Sequence, residues 1–158
     1  MEAIQTIRKT RQFLLDTIKD LSAEQINTIP QGFSNNIIWH LGHMVAAQQG
    51  VCYIRAGIAP VLDQAFIDRY KSGTKPEHII TDQEIGQIKG LMFSSLDQLQ
   101  QDYDQKAFEG YTAWSTRYGN TISNIQEAID FLPFHEGMHI GYIMAFKKLI
   151  GQPAESLK

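Results

Sequence analysis

The sequence predicts an all-α protein built as a four-helix bundle, with a long crossover between helices two and three. Apolar residues recur at helical spacing in four long segments, which is the pattern of amphipathic helices. The middle two segments are separated by a poorly patterned stretch, residues 61–81, that is too long for a tight turn. No repeat, low-complexity tract or Gly/Ser-rich linker divides the chain, so residues 1–158 are predicted to form a single domain.

The first predicted helix covers residues 2–19, and a capping-box pattern follows it. Ser22 stands three residues before Gln25, and Pro30 and Gly32 then break the chain. The second predicted helix covers residues 36–54 and is apolar almost all round. Ser34 or Asn35 is expected to cap it.

The third predicted helix begins at Asp82 and covers residues 82–103, with one apolar stripe. The segment "YTAWSTRYGNT" alternates aromatic and β-branched residues before a Gly-Asn pair, which favours a hairpin or an extended loop. The fourth helix is predicted over residues 122–150, with a cap among residues 121–123 and an end at Gly151 and Pro153. Pro133 is expected to kink or interrupt it.

Composition excludes several classes of function. A chain of 158 residues with 43% apolar and 20% charged residues is typical of a globular domain. The single cysteine excludes an internal disulfide and a Cys-pair zinc site. A net charge of -3 without a basic run argues against a nucleic-acid partner. With no membrane-spanning apolar run and no targeting segment recognised, we expect a cytoplasmic protein without a membrane partner.

Two histidines in "FHEGMHIGY", His135 and His139, carry the strongest chemical signal. At about 100° per residue they lie about 40° apart, inside the apolar stripe of the fourth helix. A buried polar group without a partner costs about 1–3 kcal/mol, so both rings need partners. One metal ion would satisfy both; core histidines bonded to backbone or hydroxyl groups are the other interpretation. Glu136 lies about 100° from His135, and a surface role is expected for it.

A third metal ligand would come from helix two, where "IIWHLGHMVAAQQ" contains His40 and His43. His40 flanks the densest apolar arc more closely, but helical phase does not decide between the two. His78 lies in the crossover and is expected to be exposed. Cys52 lies nine residues after His43, about 180° around the helix, and is expected to be a small core residue.

The segments "WHLGH" (39–43) and "HEGMH" (135–139) resemble the metal-site motifs of the DinB-like superfamily, a family of four-helix bundles with a three-histidine site. The resemblance extends over the whole chain, including its length, the long crossover and the approach "IPQGFSNNIIW" to helix two. It implies that His43, His135 and His139 are the metal ligands. His40 is then a neighbour and the alternative third ligand.

The same resemblance implies a function. Characterised relatives in the superfamily include thiol-dependent transferases and isomerases and iron-dependent enzymes of thiol-histidine biosynthesis. We therefore expect a metal-dependent enzyme that activates a small thiol or water for transfer or hydrolysis, acting on a small-molecule substrate. Three imidazoles leave coordination positions open, as in catalytic sites. Zinc, nickel and ferrous iron all suit imidazole, and a low-molecular-weight thiol is an expected cofactor.

Two positions depart from the family's pattern. Many members carry a carboxylate shortly after the helix-two histidine, where the nearest match here is Gln48, and a polar amide where this chain has Tyr142. Tyr142 is predicted to orient the substrate or relay a proton, and Gln48 to hold bound water. The alternative is that both are core polar groups bonded to each other.

Two other classes of function stay open from the sequence. One is a metal-binding stress or interaction module without turnover. The other is a structural homodimer with a vestigial site, which would use the apolar second helix as its interface. A homodimer is the expected assembly in any of these cases.

Overall fold

The computed structural model describes residues 1–150, and this part of the chain is mainly helical. The long helices lie where the apolar periodicity predicts them, and two short helices lie between them. Residues 1–150 contain six α-helices: α1 (Glu2–Ile18), α2 (Ala23–Asn27), α3 (Ile37–Gln48), α4 (Gln64–Tyr70), α5 (Asp82–Asp104) and α6 (Ile125–Ile150). A two-stranded antiparallel hairpin, β1 (Trp114–Ser115) and β2 (Thr121–Ile122), confirms the hairpin alternative. The fold is therefore not purely helical.

The start of α3 differs by one residue from the predicted cap. The side chain of Asn36, rather than Ser34 or Asn35, accepts a hydrogen bond from the Trp39 backbone N–H at 2.9 Å. Its amide group also donates to the Asn27 carbonyl oxygen at 2.8 Å, which ties α3 to the end of α2. Asn36 satisfies partners on both sides and so determines where α3 begins.

The start of α6 is also later than predicted. Residues Thr121–Ile122 pair in β2, so they are not available to the helix. Asn124 then accepts a hydrogen bond from the Glu127 backbone N–H at 3.0 Å, and α6 begins at Ile125. The helix runs through Pro133 without ending, so the predicted interruption is wrong. The predicted end at Gly151 and Pro153 lies outside the described residues.

The second predicted helix is less regular than its sequence suggests. After α3 the chain continues as a π-helical turn, Gln49–Tyr53, and a 3₁₀ turn, Ile54–Ala56. It ends at Gly57, whose φ of 71° lies in the left-handed region that favours glycine. Single π turns are frequent at functional sites, and this one lies next to the histidines of α3.

The four long helices pack around two hydrophobic clusters. α1 and α3 each contact both α5 and α6, and α3 also contacts α4. Every α3 residue except Ala47 is buried within the chain itself, so this helix does not offer a free apolar face to a second copy. No helix in residues 1–150 combines the length and hydrophobicity needed to cross a membrane.

A buried polar layer separates the two clusters. Arg11 of α1 is 0% exposed, and its guanidinium binds the carboxylate of Glu136 on α6, which is 1% exposed. The same guanidinium donates to the Gln48 side-chain oxygen at 3.0 Å, and Ser95 of α5 also donates to that oxygen, at 3.1 Å. Each of the four long helices therefore contributes one side chain to this layer. The predicted surface role of Glu136 is wrong, because its turn of α6 faces α1.

Candidate metal centre

Helices α3 and α6 bring four of the five histidines together. His43 of α3 and His135 and His139 of α6 each place a ring nitrogen within 4.8 Å of the other two. These are the three ligands that the family resemblance implies. His40 lies one turn before His43 on α3, beside His139.

The spacing within α6 fits a metal ion. The Nε2 atoms of His135 and His139 are 3.3 Å apart. Two imidazole nitrogens bound to zinc at about 2.0–2.1 Å, at a tetrahedral angle, lie about 3.3 Å from each other. The Nδ1 atom of His135 is buried without a partner among the described residues. The donor set and this nitrogen spacing therefore suit a divalent transition metal.

A contact with α4 orients His43. Its Nδ1–H donates to the backbone oxygen of Tyr70 at 2.7 Å, which leaves Nε2 as the nitrogen with a free lone pair. Trp39 stacks on the same imidazole with ring planes 9° apart. Tyr70 and Trp39 together fix the orientation of the His43 ring, and with it the direction of the free Nε2.

A second contact orients His139. Its Nδ1 lies 2.8 Å from Nδ1 of His40, so one ring donates to the other. If Nε2 of His139 is the ligand atom, its proton is on Nδ1 and His40 is the acceptor. The proton of His40 is then on its own Nε2, a buried atom without a partner in the described structure. His40 therefore contacts His139 and is not one of the three clustered histidines.

Burial keeps the cluster neutral. Desolvation, followed by the repulsion of neighbouring rings, lowers the pKa of His139 to about 2, and desolvation and His43 lower the pKa of His40 to about 4. The pKa of His135 is also lowered to about 4, by burial first, then by His43 and Arg117. Burial lowers the pKa of His43, against the opposing effect of its bond to Tyr70. Neutral imidazole is the form that binds a metal.

The histidines line a cleft of about 1250 Å³. Among residues 1–150, its walls include seven aromatic residues besides the histidines, two arginines and one lysine. The aromatic wall residues are Phe33, Trp39, Trp114, Tyr118, Phe131, Tyr142 and Phe146; the basic ones are Arg55, Lys71 and Arg117. A small molecule can therefore reach the candidate ligands from solvent.

A family model described as the DinB superfamily matches residues 6–143. The chain belongs to the DinB superfamily. The match covers α1 to most of α6 and includes all four clustered histidines. No curated protein matches this DinB superfamily member.

The two predicted catalytic side chains of this DinB superfamily member lie in different surroundings. Tyr142 is 49% exposed, lines the cleft and stacks on His40 with ring planes 13° apart. Gln48 is 0% exposed and is not among the residues that line the cleft. Its amide bonds Arg11 and Ser95, so the two residues are not bonded to each other as the alternative supposed.

The predictions for His78 and Cys52 are confirmed. His78 is exposed, in the segment before α5, and does not join the cluster. Cys52 is 0% exposed in the second hydrophobic cluster, and burial raises the pKa of its thiol strongly. It is a small core residue.

Sequence reasoning missed three contributors to the site. Tyr70 acts through its backbone oxygen, which no side-chain pattern reveals. Arg55 and Arg117 come from segments without clear periodicity, so their approach to the cleft depends on the packing of loops. The one available signal was Gly42, directly before His43, since glycine inside a helix often marks a close approach.

Proposed function

We propose that this DinB superfamily member is a metal-dependent enzyme that activates a small thiol or water for attack on a small-molecule substrate. The observation that carries the proposal is the cluster of His43, His135 and His139 in the wall of an accessible cleft. Three protein ligands leave coordination positions for an exogenous group, which is the arrangement of catalytic sites. The contacts among α1, α3, α5 and α6 support the four-helix bundle as the frame of this site.

The protein's own groups prepare the site. Tyr70 and His40 hold the rings of His43 and His139 through their Nδ1 atoms, and burial keeps the imidazoles unprotonated at neutral pH. A divalent ion bound there would lower the pKa of a water or thiol and make it a nucleophile near pH 7.

Tyr142 is the side chain best placed to act on a substrate. Its ring stacks on His40 and its side chain faces the cleft, so its hydroxyl can orient a bound molecule or relay a proton. Gln48 has its amide engaged by Arg11 and Ser95, and these contacts favour a role in holding α3 rather than in holding water.

The experiment is metal analysis of protein purified without a polyhistidine tag and without chelator. We expect about one equivalent of a transition metal in the native protein and none in His135→Ala or His139→Ala. His78→Ala is the matched control, since that histidine is exposed and outside the cluster. It should retain the full equivalent.

Two results would overturn the proposal. Stoichiometric metal retained in His139→Ala would show that the cluster is not the binding site. No metal in the native protein after reconstitution with zinc, nickel and ferrous ions would leave the histidines as core residues. Metal without turnover of any thiol or water-dependent reaction would instead favour the non-catalytic module.

A further inference from the structure

Two arginines from distant parts of the chain line the cleft that contains the histidines. Arg55 lies in the 3₁₀ turn after α3, and Arg117 lies in the turn between β1 and β2. Both side chains are exposed and both line the cleft. The hairpin is joined to the 3₁₀ turn because the Thr112 N–H donates to the Arg55 backbone oxygen at 2.7 Å.

Arg55 is held in place by an aromatic ring. Its guanidinium carbon lies 4.9 Å from the centre of the Trp114 ring. The indole N–H of Trp114 donates to the Tyr111 hydroxyl at 2.9 Å, and that hydroxyl donates to the Val51 carbonyl oxygen at 2.8 Å. A cation on a fixed aromatic ring keeps its in-plane N–H groups free for an anion.

Arg117 lies in the wall of the same cleft as His135 and His139. The turn between β1 and β2 therefore brings a cation to the cleft that contains the candidate metal ligands.

The two arginines have no carboxylate partner among residues 1–150. Neither belongs to any of the ion pairs found there. Asp68 is the single carboxylate that residues 1–150 contribute to the cleft wall, and it binds Lys71 at 2.9 Å. The cleft wall therefore has an excess of positive charge beside the three neutral imidazoles, although the whole chain has a net charge of -3. A bound molecule of negative charge would balance it.

We propose that Arg55 and Arg117 bind a carboxylate on the small thiol that occupies the cleft, so that this thiol is an anion. That the ligand is a thiol rests on the proposed function. That it carries a negative charge rests on Arg55 and Arg117. Guanidinium groups match carboxylates in geometry, and such charge-assisted hydrogen bonds are among the strong ones in proteins.

The test compares two thiols of nearly the same shape, the anionic 3-mercaptopropionate and the neutral 3-mercaptopropionamide. Binding to the cobalt(II)-loaded protein is followed by thiolate-to-cobalt charge-transfer absorption. We expect the carboxylate to bind at least about tenfold more tightly than the amide in the native protein. In Arg55→Gln/Arg117→Gln the ratio should fall to about one, with the amide's affinity unchanged. Arg8→Gln, which removes a charge on α1 outside the cleft, should keep the native ratio.

A second readout does not need a metal. In the metal-free protein, 3-mercaptopropionate should shift the arginine Nε–H signals that Arg55→Gln and Arg117→Gln remove from the NMR spectrum, and the amide should not. If no thiol binds cobalt, the proposed function fails and these shifts alone decide the subsite. Equal binding of the two thiols, a ratio that survives in the double variant, or absence of the shifts would overturn the carboxylate subsite.

Discussion

At the scale of single residues, the four clustered histidines differ in the partner of their second nitrogen. Nδ1 of His43 bonds a backbone oxygen, and Nδ1 of His139 bonds another imidazole. Nδ1 of His135 is buried without a partner in the described structure. Such outer contacts determine which nitrogen of a ring is free to bind a metal.

His40 is therefore predicted to tune metal affinity without being a ligand. Replacing His40 by Phe removes the acceptor of the His139 Nδ1 proton, and we expect metal affinity to fall about 10–100-fold while the stoichiometry stays at one. His40→Gln offers an oxygen in place of the acceptor and should recover part of the loss. Titration with a competing chelator measures both. Unchanged affinity in His40→Phe would contradict the prediction, and complete loss of metal would make His40 a ligand.

The lowered histidine pKa values predict that the metal-free protein loses stability in acid. The pKa of His135 falls to about 4 in the fold, against about 6.5 in an unfolded chain. Between these values the unfolded state binds more protons, so the free energy of unfolding decreases as pH falls, by at most about 1.4 kcal/mol per pH unit for each histidine. Urea unfolding at pH 7, 5.5 and 4.5 measures the slope. In His135→Ala the free energy of unfolding should depend less steeply on pH. An equal dependence in the two proteins would contradict the lowered pKa of His135.

At the scale of elements, the approach of α3 and α4 positions His43. A Cβ atom on Gly42 would lie 2.5 Å from the Tyr70 ring, closer than real contacts allow. The absence of a side chain at Gly42 thus lets α4 come near enough for the Tyr70 carbonyl to reach His43. One residue in α3 controls the distance between two helices and the orientation of a candidate ligand.

Gly42→Ala is predicted to damage both stability and metal binding. Overpacking costs about 1–3 kcal/mol, and displacement of Tyr70 lengthens its bond to His43. The control is Gly86→Ala in α5, where a Cβ meets nothing within 4 Å and helix propensity should add up to about 1 kcal/mol. Urea unfolding and metal titration of both variants check this. Equal metal affinity in the two variants would contradict the link between α4 and His43.

At the scale of the whole molecule, a polar layer lies between two hydrophobic clusters. Ile7 and Leu14 of α1 belong to different clusters, and Arg11 stands between them. Its ion pair with Glu136 is fully buried, and burial raises the pKa of that carboxyl while Arg11 opposes the rise. Gln48 and Ser95 complete the layer. The Arg11 guanidinium and its partners therefore fix the positions of the four long helices relative to one another along their axes.

Breaking this pair is predicted to be costly, while removing both partners is not. Arg11→Met leaves the Glu136 carboxyl buried without its partner, and we expect a loss of about 3–5 kcal/mol. Arg11→Met/Glu136→Leu should lose less than the sum of the two single changes, because no charge stays behind. Arg8→Gln, which removes an exposed pair with Asp97, should cost less than about 1 kcal/mol. Urea unfolding measures the series, and equal losses in Arg11→Met and Arg8→Gln would refute the role of burial.

The sequence by itself determined the four long helices and the shared face of His135 and His139, and it left a hairpin open beside an extended loop. These features depend on interactions between residues close along the chain, namely caps, apolar periodicity and turn residues, so a local pattern is enough to predict them. The sequence also predicted the family, because the motifs that carry the resemblance are short segments of the chain.

Helical phase did not decide which helix-two histidine joins the pair; the family resemblance implied His43, and only the tertiary structure decided what surrounds it. Phase around α3 favoured His40 slightly, yet the contact of α3 with α4 and α6 places His43 in the cluster and His40 behind His139. The burial of Glu136 follows from the packing of α1 on α6. The helical period predicts the angle between two residues of one helix. It does not predict how that helix is rotated about its own axis relative to its neighbours. That rotation is determined by packing among residues that are far apart in sequence.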